Sequence, residues 1–155
     1  MKKINKYIML LILSLATSVI FICVLWESKD QFSCQSNIII KNRGSVFYGI
    51  INFNVSSDNG TVNINGFIKN ETAPDYIINR TILFSSSIHG GISVWKSTNV
   101  SIGNTDTTPT QLLIGIIPQV YLESLTISDV SFQKLDNKSY LFLREFVPYA
   151  YCKVS

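Results

Sequence analysis

The sequence predicts a mainly β, small α+β protein. One N-terminal transmembrane helix precedes an antiparallel, strongly curved or barrel-like sheet of about seven to eight strands with one short helix. Three observations predict it. A long uncharged run stands near the start. Apolar, β-branched runs broken by turn residues fill most of the remainder. One segment near residue 110 carries helix start and stop signals instead.

The opening run is Tyr7 to Trp26, YIMLLILSLATSVIFICVLW. A bilayer core of about 30 Å needs about 20 helical residues. Tyr7 and Trp26 stand at its ends, where amphipathic rings prefer the interface, and Lys2, Lys3 and Lys6 precede it, which predicts a cytoplasmic N-terminus. A cleaved signal peptide has a core of about 7 to 15 residues and a small-x-small cleavage site. Ile22-Cys23-Val24 offers no such site, and Ile22 before Cys23 does not suit a lipoprotein signal. The expected organisation is a cytoplasmic tail over 1–6, a membrane helix over 7–26, a stem over 27–33 and an outer β-domain over 34–155.

The outer domain begins with candidate strands Cys34–Lys41, Val46–Val55 and Thr61–Ile68. Tyr76–Ser85, Ile92–Ser97, Leu125–Gln133 and Ser139–Phe146 follow. Asn42-Arg43-Gly44, Asp58-Asn59-Gly60, Glu71 to Pro74, His89-Gly90-Gly91 and Asp136-Asn137-Lys138 separate them. These turn residues read as consecutive antiparallel hairpins. Phe47, Gly49, Ile51, Phe53 and Val55 share one face, with Asn52 and Asn54 opposite. Val62 and Ile64 likewise oppose Thr61, Asn63 and Asn65. Such alternation marks a sheet with one buried face. In Leu125–Gln133 the alternation slips, which predicts a β-bulge near Ser128–Asp129. Thr108-Pro109-Thr110-Gln111 reads as a helix start. The stripe Leu112, Leu113, Ile116 and Ile117 and the stop at Pro118 complete a short helix that plugs the sheet.

Composition narrows the chemistry. The chain has 155 residues, enough for one ordinary domain, and is 46% hydrophobic and only 15% charged. Disordered chains are polar and charged, so disorder is not expected. One His and three Cys argue against zinc or iron–sulfur sites, and no cofactor is expected. The net charge of +3 resides in the three N-terminal lysines, because the rest of the chain is balanced. Direct nucleic-acid binding is not expected without a basic cluster on the folded domain.

Cys34 and Cys152 bracket the outer domain. In an oxidising compartment they would pair, which stabilises by roughly 4 to 5 kcal/mol in the chain-entropy model. Two buried free thiols are the alternative. His89, the single histidine, follows Ser85-Ser86-Ser87-Ile88. No nucleophile elbow or third triad member accompanies it, so hydrolysis is not expected. It reads as an exposed turn residue, with pH sensing the sharper alternative. Phe47, Phe53, Phe84, Trp95, Phe132 and Phe142 fill a core or, in a barrel with a cavity, line a site for a small apolar ligand.

The order of short motifs resembles one family. It runs from Phe32-Ser33-Cys34 through Gly60-Thr61-Val62-Asn63-Ile64-Asn65-Gly66 to Asn79-Arg80-Thr81-Ile82-Leu83-Phe84. Asp106 to Leu113, Ile117-Pro118-Gln119-Val120-Tyr121 and Val147-Pro148-Tyr149-Ala150-Tyr151-Cys152 follow. Over almost the whole chain this is similar to the FidL-like family of enterobacterial inner-membrane proteins, the MyfF/PsaF type. The resemblance implies a single-pass inner-membrane protein with a periplasmic domain and no catalytic residues. Cys34 and Cys152 match as its structural pair. The implied partner is the periplasmic part of a ToxR-like membrane-bound transcription activator of fimbrial or virulence genes, which the small protein protects or tunes. A fimbrial assembly factor or chaperone is the alternative, and a lipid- or bile-binding β-barrel is a further one.

Overall fold

The computed structural model describes residues 9, 12–15, 17–18, 31–42, 44–70, 74–89, 92–144 and 147–154. The chain forms two units, Met1–Asp30 and Gln31–Ser155. In the first, the described residues are helical, and the Thr17 and Ser18 hydroxyls donate to the Ser14 carbonyl. Among the described residues no helix is long and apolar enough to cross a membrane. Most of the expected membrane helix, the tail and the stem up to residue 30 lie outside the described residues.

The second unit is a closed barrel of eight antiparallel strands in sequential order. They are β1 (Phe32–Asn42), β2 (Ser45–Val55), β3 (Asn59–Asn70), β4 (Tyr76–His89), β5 (Ile92–Ile102), β6 (Ile127–Asp136), β7 (Ser139–Arg144) and β8 (Val147–Val154). The seven expected strands form, most of them longer than expected. The eighth is Val147–Val154, whose Pro148 hides its strand character, since proline is excluded from most ladder positions. Pro148 sits in β8 beside a bulge.

Alternation builds the interior as expected. Phe47, Ile51, Phe53 and Val55 of β2, Val62 and Ile64 of β3, and Ile78, Ile82 and Phe84 of β4 are all buried. Gly49 and Gly66 pair across β2 and β3 on the inner face. A Cβ at Gly49 would collide with the Phe47 ring, and one at Gly66 with the Tyr48 carbonyl. The two glycines therefore make room for the Phe47 side chain to lie flat against the wall. Phe84 stacks on Trp95 at 3.9 Å, and Phe53 on Phe142 at 4.3 Å. At the end where β1 begins, Phe32 stacks on Tyr140 at 3.9 Å. Side chains thus fill most of the lumen, as an eight-stranded barrel permits.

The expected bulge at Ser128–Asp129 is absent, and β5–β6 pairing runs unbroken from Lys96↔Ile127 to Ser93↔Val130. Leu125 and Ile127 cause the slip in the pattern, Ile127 because it points outward from β6 while Val130 points inward. Leu125 is an exposed turn residue with φ of 66°, outside the strand, so its parity carries no facing information. Bulges occur instead at Leu83/Phe84, Lys134/Asp136 and Phe142/Leu143.

The expected helix shrinks to one turn, α1 (Thr110–Leu113), followed by a 3-10 turn over Gln119–Tyr121. Pro109 rather than Thr108 caps α1, and no side chain bonds to its first amides. Thr108 is drawn away because its hydroxyl donates to the Ile77 carbonyl at 2.8 Å. The plugging role survives: Leu113, Ile116, Ile117, Val120, Tyr121 and Leu122 are all buried.

The barrel closes where its first and last strands meet. Among the described residues β1 and β8 share only two ladder pairs, Cys34↔Val154 and Gln35↔Lys153. Beside them Cys34 and Cys152 form a disulfide with Cα atoms 5.4 Å apart, closing a separation of 118 residues. Replacing both by Ser is expected to lower stability by about 4 to 5 kcal/mol, less whatever the reduced chain regains by relaxing. Urea unfolding of both forms of the full chain measures it, and an unchanged midpoint would refute it.

Candidate functional site

The segment over 103–126 covers the end of the barrel opposite the entry of β1, and two inward side chains hold it there. Arg80 is the central inward residue of β4 and is 1% exposed. Its Nε donates to Asp106 Oδ2 at 3.0 Å, Nη2 to the Thr108 carbonyl at 2.7 Å and Nη1 to Thr110 Oγ1 at 3.3 Å. Asp106 also accepts the Asn79 amide at 3.0 Å and the Thr108 amide at 2.9 Å. A buried ion pair persists only when its remaining donors and acceptors are satisfied, which this network achieves. On the neighbouring strand β5 Ser97, fully buried, donates through its hydroxyl to the Glu123 carbonyl at 2.6 Å and accepts the Thr126 amide at 3.2 Å. Two motifs that sequence reading noted separately, Asn79 to Phe84 and Asp106 to Leu113, thus meet as one anchor.

Beneath this plug the packing is incomplete. A cavity of about 410 Å³ lies between β1, β2, the plug and the ends of β7 and β8. Ile38, Ile40, Phe47, Ile51, Ile116 and Ile117 supply apolar walls. Gln119, Tyr121, Glu123, Arg144 and Tyr149 supply the polar groups. The bulge at Phe142/Leu143 explains how Tyr149 comes to face inward. Ala150 pairs with Phe142 and Pro148 with Leu143, so Tyr149 is the extra residue and escapes the outward position that alternation would assign.

The Tyr121 and Tyr149 hydroxyls lie 3.0 Å apart. Burial, and then the neighbouring Tyr149 hydroxyl, push Tyr121 well above its usual 10.0, against a smaller opposing pull from Arg144. Burial pushes Tyr149 up to about 12, opposed by its bond to Tyr121 and by Arg144. Both therefore stay protonated at any physiological pH.

The residues singled out in the sequence lie apart from this cavity. Cys34 and Cys152 close the opposite end of the seam. His89 is exposed at the end of β4, in the hairpin joined to Ile92, with Ser87 Oγ 3.3 Å from its Nδ1. No carboxylate orients its ring among the described contacts. Of the aromatics considered as cavity lining, Phe47 lines it. Phe53, Phe84, Trp95 and Phe142 pack against one another or their neighbours. Among the described residues no group of three His, Cys, Asp or Glu is placed to hold a metal ion. Comparison of the chain with protein-family models, curated proteins and solved structures finds no match.

The cavity also flanks a stretch of the wall where the ladder is incomplete. Beyond Gln35 and Lys153 no ladder pairs join β1 to β8 among the described residues. The β1 segment Ser36–Asn42 is therefore a strand edge on the β8 side, while its other side pairs with β2 throughout. The buried Ser36 hydroxyl at the start of this split has no hydrogen-bond partner. On the outer surface next to the edge, Ile39↔Tyr48, Tyr48↔Phe67 and Phe67↔Ile77 are successive register partners. These four residues make one exposed apolar row across four strands, with Tyr48 and Phe67 stacked at 5.1 Å.

Two outcomes follow from these contacts. Asp106→Ala leaves the Arg80 guanidinium buried without its counter-charge. It is expected to destabilise by about 3 to 5 kcal/mol, whereas an apolar replacement of both partners is expected to be far milder. Thermal unfolding of the three proteins tests this ordering. Alkali provides the second outcome. The tyrosine contribution to stability is complete below pH 10, where neither state ionises. It is lost as pH rises from 10 through about 12, because the unfolded chain ionises first. Urea midpoints at pH 8 and 11 are expected to diverge strongly in the parent and less after Tyr121→Phe with Tyr149→Phe.

Proposed function

We propose that this chain is a membrane-anchored accessory protein of the FidL-like type. It acts without catalysis, binding and stabilising the periplasmic part of a ToxR-like transcription activator in the bacterial inner membrane. The observation that carries the reading is the incompletely paired seam. A strand edge of seven residues, Ser36–Asn42, lies open on the β8 side next to an exposed apolar row. Strand edges accept partner strands through main-chain hydrogen bonds, with alternate side chains giving specificity. The Ile39–Tyr48–Phe67–Ile77 row supplies apolar area of the kind that marks protein contact surfaces. A shared membrane raises the effective concentration of the two proteins and lets a modest interface suffice.

The test uses the full-length chain in its native membrane together with the activator. Deleting the gene is expected to lower both activator protein and its target transcript. Ile39→Asp with Phe67→Asp is expected to reproduce that loss and to reduce co-purification at least tenfold, while the barrel still forms its disulfide. Unchanged activator and transcript would overturn the reading. Loss of a fimbrial subunit with a normal transcript would instead establish the assembly-factor alternative.

A further inference from the structure

We propose that the cavity under the plug is a binding site for a medium-chain acyl amphiphile, one alkyl chain ending in a carboxylate or similar monoanion. The site is independent of the partner interaction proposed above.

Size sets the first limit. At about 410 Å³ the cavity has room for a single medium-length alkyl chain. It falls within the range of about 300 to 1,000 Å³ typical of ligand pockets. The lining sets the second. Ile38, Ile40, Ile51 and Ile117 make a wall with no polar side-chain atoms, which suits an unbranched hydrocarbon and offers nothing to a sugar or nucleotide.

The polar groups decide the sign of the head. Two tyrosine hydroxyls carry two protons, and the single contact between them uses one. One O–H remains for an acceptor, and neither ring ionises below about pH 10 to favour a cation. Arg144, exposed and among the lining residues, lies near enough to act on both tyrosines. Glu123 is the opposing charge. It is exposed, and its Oε2 accepts from Gln119 Nε2 at 2.9 Å, which directs it along the plug. A carboxylate head can thus accept from one tyrosine O–H and pair with the Arg144 guanidinium. An ammonium head could use the hydroxyl lone pairs but would meet the like charge of Arg144.

The experiment uses the full-length chain in phosphatidylcholine nanodiscs, with a diazirine-bearing dodecanoate as probe. Photolysis and peptide mapping are expected to place the label on the β1 peptide containing Ile38 and Ile40 and on the 114–119 peptide. Excess dodecanoate is expected to abolish that label, and dodecylamine to leave it. Arg144→Gln is expected to reduce it at least fivefold with the thermal midpoint unchanged, and Ile40→Trp to abolish it by filling the cavity. A disulfide assay confirms that each variant has closed its barrel. Label confined to residues 7–26 would overturn the proposal, as would equal competition by dodecylamine or full labelling of Arg144→Gln. Dodecanoate comes from solution and an acyl tail from the surrounding bilayer. Varying the nanodisc lipid at fixed probe distinguishes these sources, because only a bilayer-derived occupant makes the labelling lipid-dependent.

Discussion

Closure at a single seam governs this molecule. Seven of the eight strand contacts join neighbours in sequence, six of them through short turns and the seventh, β5 to β6, across the plug segment. The eighth joins β1 to β8 with two ladder pairs and a disulfide. An open sheet of this length would present two raw edges and expose the aromatic interior. The covalent bond holds the ends together where hydrogen bonding is slight. The upper seam has no such bond, and the unpaired β1 edge and the cavity both lie beside it.

The plug depends on that closure in turn. Leu113, Ile116 and Ile117 bury apolar surface only because a closed wall surrounds them. Burial alone is non-directional and would let the segment slide. Arg80 and Asp106 supply direction, since a guanidinium with three partners tolerates one position. Ser97 repeats the device on the adjacent strand with its hydroxyl and amide, near the other end of the segment. The space left beneath the plug reflects side chains on β1 and β2 that stop short of filling it.

Much of this was legible in the residues. The β2 and β3 alternation and the hairpin turns follow from local chemistry, because period-two burial and turn propensity act over a few residues, and the cysteine pair was legible from count alone, as the two cysteines of the outer domain. The single charge in Ile78-x-Arg80-x-Ile82-x-Phe84 was also a readable signal. An inward arginine demands a buried partner, and Asp106 was available. Tyr149 was not readable, because its inward position depends on a bulge in the pairing of β8 with β7 that the alternation of β8 alone does not announce. The split seam was hidden for the same reason. Pairing between residues more than a hundred positions apart leaves no periodic trace, and Pro148 disguised the last strand altogether. Leu125 misled in the opposite direction, since an exposed leucine in a left-handed turn imitates a strand position.

The distance along the chain between Cys34 and Cys152 also orders events in time. Hairpins of adjacent strands form in roughly 1 to 10 μs, whereas thiol oxidation takes seconds to hours. Until its thiols oxidise, a newly made chain holds its first and last strands together only by the ladder pairs at the seam and the packing of the plug. During that interval it is most vulnerable to proteolysis and to pairing with another copy of itself.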